Sequence, residues 1–424
     1  YRSDPNAYVK LWKHHSAQPQ ADRLTRVARE REESFIKRYG GKISSEWMLP
    51  KILQTLEESP DVYRDTYTFL EAGDWIVLQL TGKLMRNSCA AGAKSLWPKS
   101  NGVPAQEYLK PGHPGRANGG EDKLKGPVVS IGTRAGLLTD VGAALCGLPA
   151  GTPVAVAHLD AHGATIGAKV VSEGKMLVMI GTSSCHELMC REEKEVEGIC
   201  GYVEDGIVPG YFGYEAGQSC VGDHFSWFVR NCVPSAYEEA AKESGCSIYE
   251  YLDRKACAKK VGESGLIALD WWNGNRSVLA DGELSGLLIG CTLQTRPEDI
   301  YRALIEATAF GTRKIIETFA GYGVPVDEII MAGGIARKNP FIMQTYADVT
   351  GRTIQIAGSE QNAALSSAIW AALAAVSENG GYDDVNLAAE KMGKLMDVAY
   401  VPDQAKKRQY DILYREYIAL HDYF

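Results

Sequence analysis

The chain has 424 residues, 45% of them apolar and 23% charged, with a formal net charge of −8. This is the composition of a globular protein long enough for two domains or three. No run of Lys and Arg supplies the basic face that nucleic acid requires. The longest apolar run, residues 363–376, is too short and too interrupted to span a membrane.

Ser16 can cap a helix through the charged stretch 17–38, which Gly40 can end. Further helices are expected over 46–58, stopped before Pro60, and over 61–71. From 97 to 125 the sequence turns to Pro, Gly, Lys and Asn and reads as a long surface loop. A helix over 139–146 ends at Gly147, and Pro153 opens an apolar strand over 154–157. Strands over 168–171 and 176–180 flank the turn signal Glu173-Gly174, and 182–188 continues as a third. Residues 299–319 place Ile300, Leu304, Ala307, Ile315, Ile316 and Phe319 at helical spacing behind Pro297. A strand over 326–331, a helix over 340–349, a strand over 353–356 and an Ala-rich helix over 362–375 follow. Strands and helices alternate, so the class is α/β. The boundary expected near 163–167 divides the chain into 1–165 and 166–424.

Three segments carry candidate chemistry. If the strand from Val154 continues, His158, Asp160 and His162 share one face, which suits a metal site, a lone general base at Asp160, or structure only. Gly181-Thr182-Ser183 follows an apolar strand and offers backbone N–H groups and hydroxyls suited to phosphate oxygens, although many hairpin turns look the same. Gly333 and Gly334 follow another buried strand, and Asn339 can cap a helix opened by Pro340. That arrangement fits a nucleotide laid against bare backbone at a helix terminus, or a plain strand-to-helix connection. Gly92-Ala93-Lys94-Ser95 lacks both glycines of a P-loop, with Ser at 88 and Ala at 93. The ten cysteines include no CxxC pair, which fits thiols in a reducing cytoplasm.

The order of these motifs is informative. Lys10-Leu11-Trp12-Lys13-His14-His15 comes first, then Gly92-Ala93-Lys94-Ser95-Leu96-Trp97, Asp160 and Gly181-Thr182-Ser183. After them stand Leu269-Asp270-Trp271-Trp272-Asn273-Gly274-Asn275-Arg276, the segment 284–290, and Gly333-Gly334 with Asn339. Together they resemble the FGGY family of carbohydrate kinases over essentially the whole chain. The tryptophan-bearing first segment and the stretch 269–276 resemble its branch that acts on the ketopentose L-ribulose.

The resemblance implies two actin-like (ribonuclease-H-like) domains around a central cleft, with sugar held mainly by 1–165 and ATP by 166–424. It implies ATP-dependent phosphorylation of L-ribulose, with other 2-ketopentoses left open as substrates, to the 5-phosphate in arabinose catabolism, with Mg²⁺ as cofactor. Asp160 is then the general base and a metal contact. Trp12, Lys94, Asp160 and Glu215 bind sugar, while Gly181, Thr182, Gly333, Gly334 and Asn339 hold the nucleotide. A cytoplasmic location and small-molecule partners are expected, with neither nucleic acid nor membrane, and a homodimer stays open. One departure stands out: the family opens with a strand carrying a D-x-G-T turn, and nothing upstream of Trp12 matches it. The expectation is a first domain lacking its N-terminal strands, about 100 residues of a longer parent chain. Another sugar or polyol kinase of the family, a non-catalytic sugar-binding relative and a metal hydrolase on His158, Asp160 and His162 are the alternatives.

Overall fold

The computed structural model describes residues 1–12, 14–96 and 123–424. The loop expected over 97–125 falls outside the described residues up to 122, as do Lys13 and Trp97.

The first part of the chain is built from short elements. Helix α1 (Gln18–Glu30) and α2 (Met48–Glu58) lead to α3 (Pro60–Asp65) and α4 (Ala72–Thr81). The long helix expected over 17–38 instead breaks at Glu32, whose φ of 54° is left-handed, and resumes as a 3-10 helix, Ser34–Tyr39, closed by Gly40. Strand β1 (Arg86–Asn87) runs straight into α5 (Ser88–Ser95), where Asn87 accepts the Ala90 N–H as N-cap. β2 (Val128–Val129) pairs parallel with β1. β3 (Arg134–Leu137), α6 (Asp140–Cys146) and β4 (Pro153–Ala155) complete a small antiparallel pair and its connecting helix. Thr139 and Gly147 cap α6 at its two ends, as their residue types favour.

Two expectations for the middle of the chain are corrected. The strand from Pro153 stops at Ala155, and Asp160–Gly163 form a helical turn, α7. His158, Asp160 and His162 therefore do not share a strand face. Gly163 lies so close to His158 that a Cβ on it would stand 1.9 Å from Nδ1, so only glycine permits this turn. Residues 168–171 are not a strand either. Lys169 is left-handed, with a φ of 58°, behind a 3-10 turn, Ile166–Ala168. Val170 and Val171 are apolar because they are buried, not because they are extended.

The rest of the chain forms one seven-stranded sheet. Its strands are β5 (Gly174–Ile180), β6 (Ser184–Cys190), β7 (Gly201–Glu204), β8 (Phe212–Gln218), β11 (Val326–Ala332), β12 (Ile354–Ala357) and β13 (Leu395–Tyr400). A separate antiparallel pair is made by β9 (Ile267–Leu269) and β10 (Leu287–Ile289). The order across the sheet is β13-β12-β11-β5-β6-β8-β7. β11 is parallel to β5 and β12, and the remaining pairs are antiparallel. Both faces are covered, which explains why β5 from Met176 and β11 from Ile329 run on as unbroken apolar stretches. Met176, Val178, Ile329 and Met331 point into one core, and Leu177, Ile330 and Ala332 into the other, the two-residue period of a strand.

Helices α8 (Gly222–Cys232), α9 (Ser235–Glu243) and α10 (Ile248–Cys257) follow β8. α11 (Pro297–Gly321) crosses the first core, and α12 (Gly334–Lys338), α13 (Pro340–Thr350) and the later helices α14 (Asn362–Ala375), α15 (Val385–Met392) and α16 (Gln404–His421) complete the layers. α14 also fixes α7. Trp370 Nε1 donates to the Gly163 carbonyl at 3.2 Å, and Asn362 Nδ2 to the Ala164 carbonyl at 2.8 Å. The turn that bears Asp160 is thus held from the second half of the chain.

Candidate active site

A cavity of about 620 Å³ opens between the first helices and the edge of the sheet, a volume ordinary for a small-molecule site. Trp12, Lys94 and Glu215 all line it, together with His162, Ser183 and Arg276. Trp12 stands at the rim, 59% exposed, whereas Lys94 is half-buried in the last turn of α5. Asp160 is exposed at the start of α7, and its Oδ1 accepts the Ala161 N–H at 2.9 Å. It does not line the cavity wall itself, but His162, two residues on, does.

Glu215 is gripped from two sides. Arg276 Nη2 donates to its Oε1 and His162 Nε2 to its Oε2, the latter at 3.1 Å. Burial works against its charge, but Arg276, His162 and Lys94 outweigh this and hold the carboxyl well below the usual range. Behind it, Glu187 on β6 is wholly buried. Burial first, and then the neighbouring Glu215 charge, pushes its pKa up to about 8, against the pull of His162. Burial disfavours charge on His162, yet Glu187, Cys89 and Glu215 raise its pKa well above the ordinary value. Arg276 arrives on the loop after β9, where buried Asp270 accepts from Gln218 Nε2 at 2.7 Å and Tyr417 Oη at 3.1 Å. The acid of the 269–276 motif anchors that loop, and its arginine reaches the cavity.

These shifts set a pH dependence of stability. Glu215, with a lowered pKa, stabilises the fold above its unfolded pKa, and this is lost as pH falls. Glu187, with a raised one, contributes fully below its ordinary value near 4.5 and loses that contribution as pH rises through about 8. Glu187→Gln is therefore expected to flatten the alkaline decline and raise the unfolding midpoint at pH 9 relative to wild type, as thermal unfolding across pH 5–9 checks.

The glycine-bearing segments meet at the ends of β5 and β11. The Gly222 N–H donates to the Gly181 carbonyl at 2.8 Å, and the Val221 N–H to the Thr182 carbonyl at 2.8 Å. A Cβ on Gly222 would lie 2.5 Å from the Gly181 oxygen, and one on Gly333 would lie 2.2 Å from the Ile180 oxygen. Gly181 and Gly334 face open space, and Thr182 is exposed. The result is a backbone-lined cradle, with Ser183 at its junction with the cavity of Lys94 and Glu215.

Asn339 is placed differently. Its Oδ1 accepts the Ile342 N–H at 2.9 Å, capping α13, and its Nδ2 donates to Asp253 Oδ2 at 2.8 Å. It lines a second cavity of about 1030 Å³ with Asp253, Lys338 and Phe341. Asn339→Ala is expected to cost about 1–2 kcal/mol, from a lost cap and a lost bond to a carboxylate, measurable as a lower urea midpoint.

Sequence reasoning passed over Cys89, Glu187 and the role of Arg276. Glu187 had a signal, since a carboxylate within a strand expected to follow the buried residues 176–180 needs a partner. Cys89 had none.

The comparisons with known proteins agree on kinship. Residues 176–375 match the C-terminal domain of the FGGY family of carbohydrate kinases. The ribulokinase of Geobacillus thermodenitrificans (strain NG80-2) is 54% identical over 424 residues, all of this chain and 75% of that protein. The ribulokinase of Anoxybacillus flavithermus (strain DSM 21510 / WK1) is 54% identical with the same coverage. Among solved structures, a xylulose kinase from Rhodospirillum rubrum superposes with a TM-score of 0.77 at 23% identity, over 95% of this chain and 77% of that one. Plasmodium falciparum glycerol kinase with ADP gives 0.75 at 17%, over 96% and 78%. These distant structures establish the fold, two actin-like domains around a cleft. With relatives of 54% identity spanning its whole length, the chain belongs to the FGGY family of carbohydrate kinases, in the branch formed by the ribulokinases.

Proposed function

We propose that this carbohydrate kinase transfers the terminal phosphoryl group of ATP to L-ribulose, giving L-ribulose 5-phosphate. The observation that carries this reading is the convergence of Trp12, Lys94 and Glu215 on one cavity that also touches Ser183 of the phosphate turn. A neutral polyol is held by directed hydrogen bonds. Lys94 donates to hydroxyl oxygens, Glu215 accepts from hydroxyl hydrogens, and the charged partner strengthens each bond. Trp12 closes the rim with an apolar face.

Asp160 is the general base. Its Oδ1 is steadied by the Ala161 N–H, leaving Oδ2 to accept the proton from the sugar hydroxyl as it attacks phosphorus. In a loose phosphoryl-transfer transition state that proton leaves late, so placing the carboxylate matters as much as its basicity. Gly181 and Thr182 take the distal phosphates, and Gly333 and Gly334 let the nucleotide lie against backbone. Residues 1–165 carry most of the sugar site, with Glu215 reaching it from 166–424, which holds the nucleotide, and the two close on each other in the cleft. The exposed carboxylate of Asp160 is a hard oxygen donor that would hold Mg²⁺. When bound, the ion would offset charge on the transferring group. Among the described residues, no helix is long and apolar enough to cross a membrane.

The test is ADP release by purified protein over a panel of 2-ketopentoses, with ³¹P NMR of the product. L-Ribulose is expected to give the highest kcat/KM and a 5-phosphate. A preference for a triol or an aldose, or a product phosphorylated elsewhere, overturns the assignment.

A further inference from the structure

His162 is 4% exposed, sits within a helical turn of four residues, and is involved in no step of the transfer chemistry. Its ring nevertheless joins three elements. Nδ1 lies 3.1 Å from Cys89 Sγ on α5, Nε2 lies 3.1 Å from Glu215 Oε2 on β8, and the same nitrogen lies 3.5 Å from Glu187 Oε2 on β6. Two of these elements, and α7 itself, carry a group assigned to sugar. Lys94 lies in the last turn of α5, α7 begins with Asp160, and Glu215 belongs to β8.

We propose that His162 is the positioning residue of the sugar pocket, its imidazole fixing Glu215 and setting the spacing of the segments that bear Lys94, Asp160 and Glu215. This rests on the sugar-pocket reading above and deepens it. An ionised Glu215 only accepts hydrogen bonds, so Nε2 carries the hydrogen and donates it. With Oε1 taken by Arg276 and Oε2 by His162, the carboxylate plane has one orientation. Its remaining lone pairs then face the cavity as preset acceptors for sugar hydroxyls. A carboxylate free to rotate would have to be ordered on binding, at a cost in affinity.

The same geometry admits a rival. His162, Glu187 and Glu215 present ligand atoms within 4.8 Å of one another, as a metal site would. The charges favour the hydrogen-bond network, because the Arg276 guanidinium already neutralises Glu215 and buried Glu187 prefers to keep its proton. Glu187 Oε2 finds no hydrogen-bond acceptor or donor of its own. It confines the ring to a direction between two carboxyls, so that only Glu215 completes a strong bond.

Two near-isosteric substitutions separate positioning from bulk. The amide nitrogen of Gln reaches the place of Nε2, and that of Asn the place of Nδ1. His162→Gln is expected to keep the KM for L-ribulose within about threefold of wild type. His162→Asn and His162→Ala should raise it about 10- to 100-fold, the worth of one hydrogen bond to a charged group. All three should leave the KM for ATP within about twofold, which a general loosening of the fold would not. Equal sugar KM values for the Gln and Asn variants, or parallel losses for sugar and ATP, overturn the proposal. Should His162→Ala fail to fold, the Gln–Asn pair decides alone. A wild-type protein that prefers another sugar overturns the ribulose assignment, and the same KM ratios for that sugar still test His162. Stoichiometric transition metal in the wild-type protein, lost in His162→Asn, overturns it in favour of the rival.

Discussion

Replacing Asp160 by Asn is expected to lower kcat for L-ribulose by about 10²–10⁴, the usual worth of a positioned general base, while leaving KM for both substrates and the unfolding midpoint close to wild type. The fold should tolerate the change. Asp160 is exposed, and the hydrogen bond of its Oδ1 with the Ala161 N–H is available to the Asn carbonyl. The turn itself is held by Trp370 and Asn362 on α14, not by the carboxylate. What disappears is the capacity to take a proton, together with the negative charge that would hold Mg²⁺. Steady-state kinetics with both substrates checks the split, and undiminished turnover in the variant removes Asp160 from the chemistry. A fall in kcat accompanied by an equal rise in sugar KM would mark it as a binding group instead.

The central sheet and its helices were legible because their residues obey one period each. The strand of residues 326–331, the helix over 340–349 and the Ala-rich helix over 362–375 all lie within a residue or two of the observed elements. There the local pattern and the burial agree. The reading failed where burial and backbone shape part company. Val170 and Val171 are buried without being extended, and His158 to His162 leave the strand because Gly163 lets the chain fold back on an imidazole. Such a reversal depends on contact between residues five apart, which alternation does not encode.

The site was legible in a similarly uneven way. Trp12, Lys94 and Glu215 lie far apart in sequence and meet in one cavity, and only the order of motifs, read as a family resemblance, had linked them. His162 was noticed for the wrong partners. On a strand it would have faced Asp160. On a helical turn Asp160 points to solvent, and His162 points inward to Glu215 and Cys89. One change of local conformation thus converts a candidate metal ligand into a support for a carboxylate that touches substrate.

The second large effect is expected at the nucleotide cradle, where two adjacent glycines should respond oppositely. Gly333 has a φ of 108°, and a Cβ there would stand 2.2 Å from the Ile180 carbonyl oxygen. That oxygen belongs to the last residue of β5, immediately before Gly181 and Thr182. Gly333→Ala cannot be absorbed by rotating a side chain, since the backbone fixes where Cβ stands and the oxygen it meets is itself backbone. It must push the ends of β5 and β11 apart, beyond the strain of a left-handed alanine, and a loss of about 3 kcal/mol or more is expected. The separation also displaces the phosphate turn, so the KM for ATP should rise by more than tenfold while sugar binding, measured by quenching of pocket tryptophans, is retained. Gly334 meets nothing within 4 Å where its Cβ would be, and its φ is not in the left-handed region. As the first residue of α12, it should accept Ala without loss of stability. Any weakening of ATP binding in Gly334→Ala then reports direct approach of the nucleotide to that backbone. A pair of variants with unchanged ATP KM would place the nucleotide away from β11 altogether.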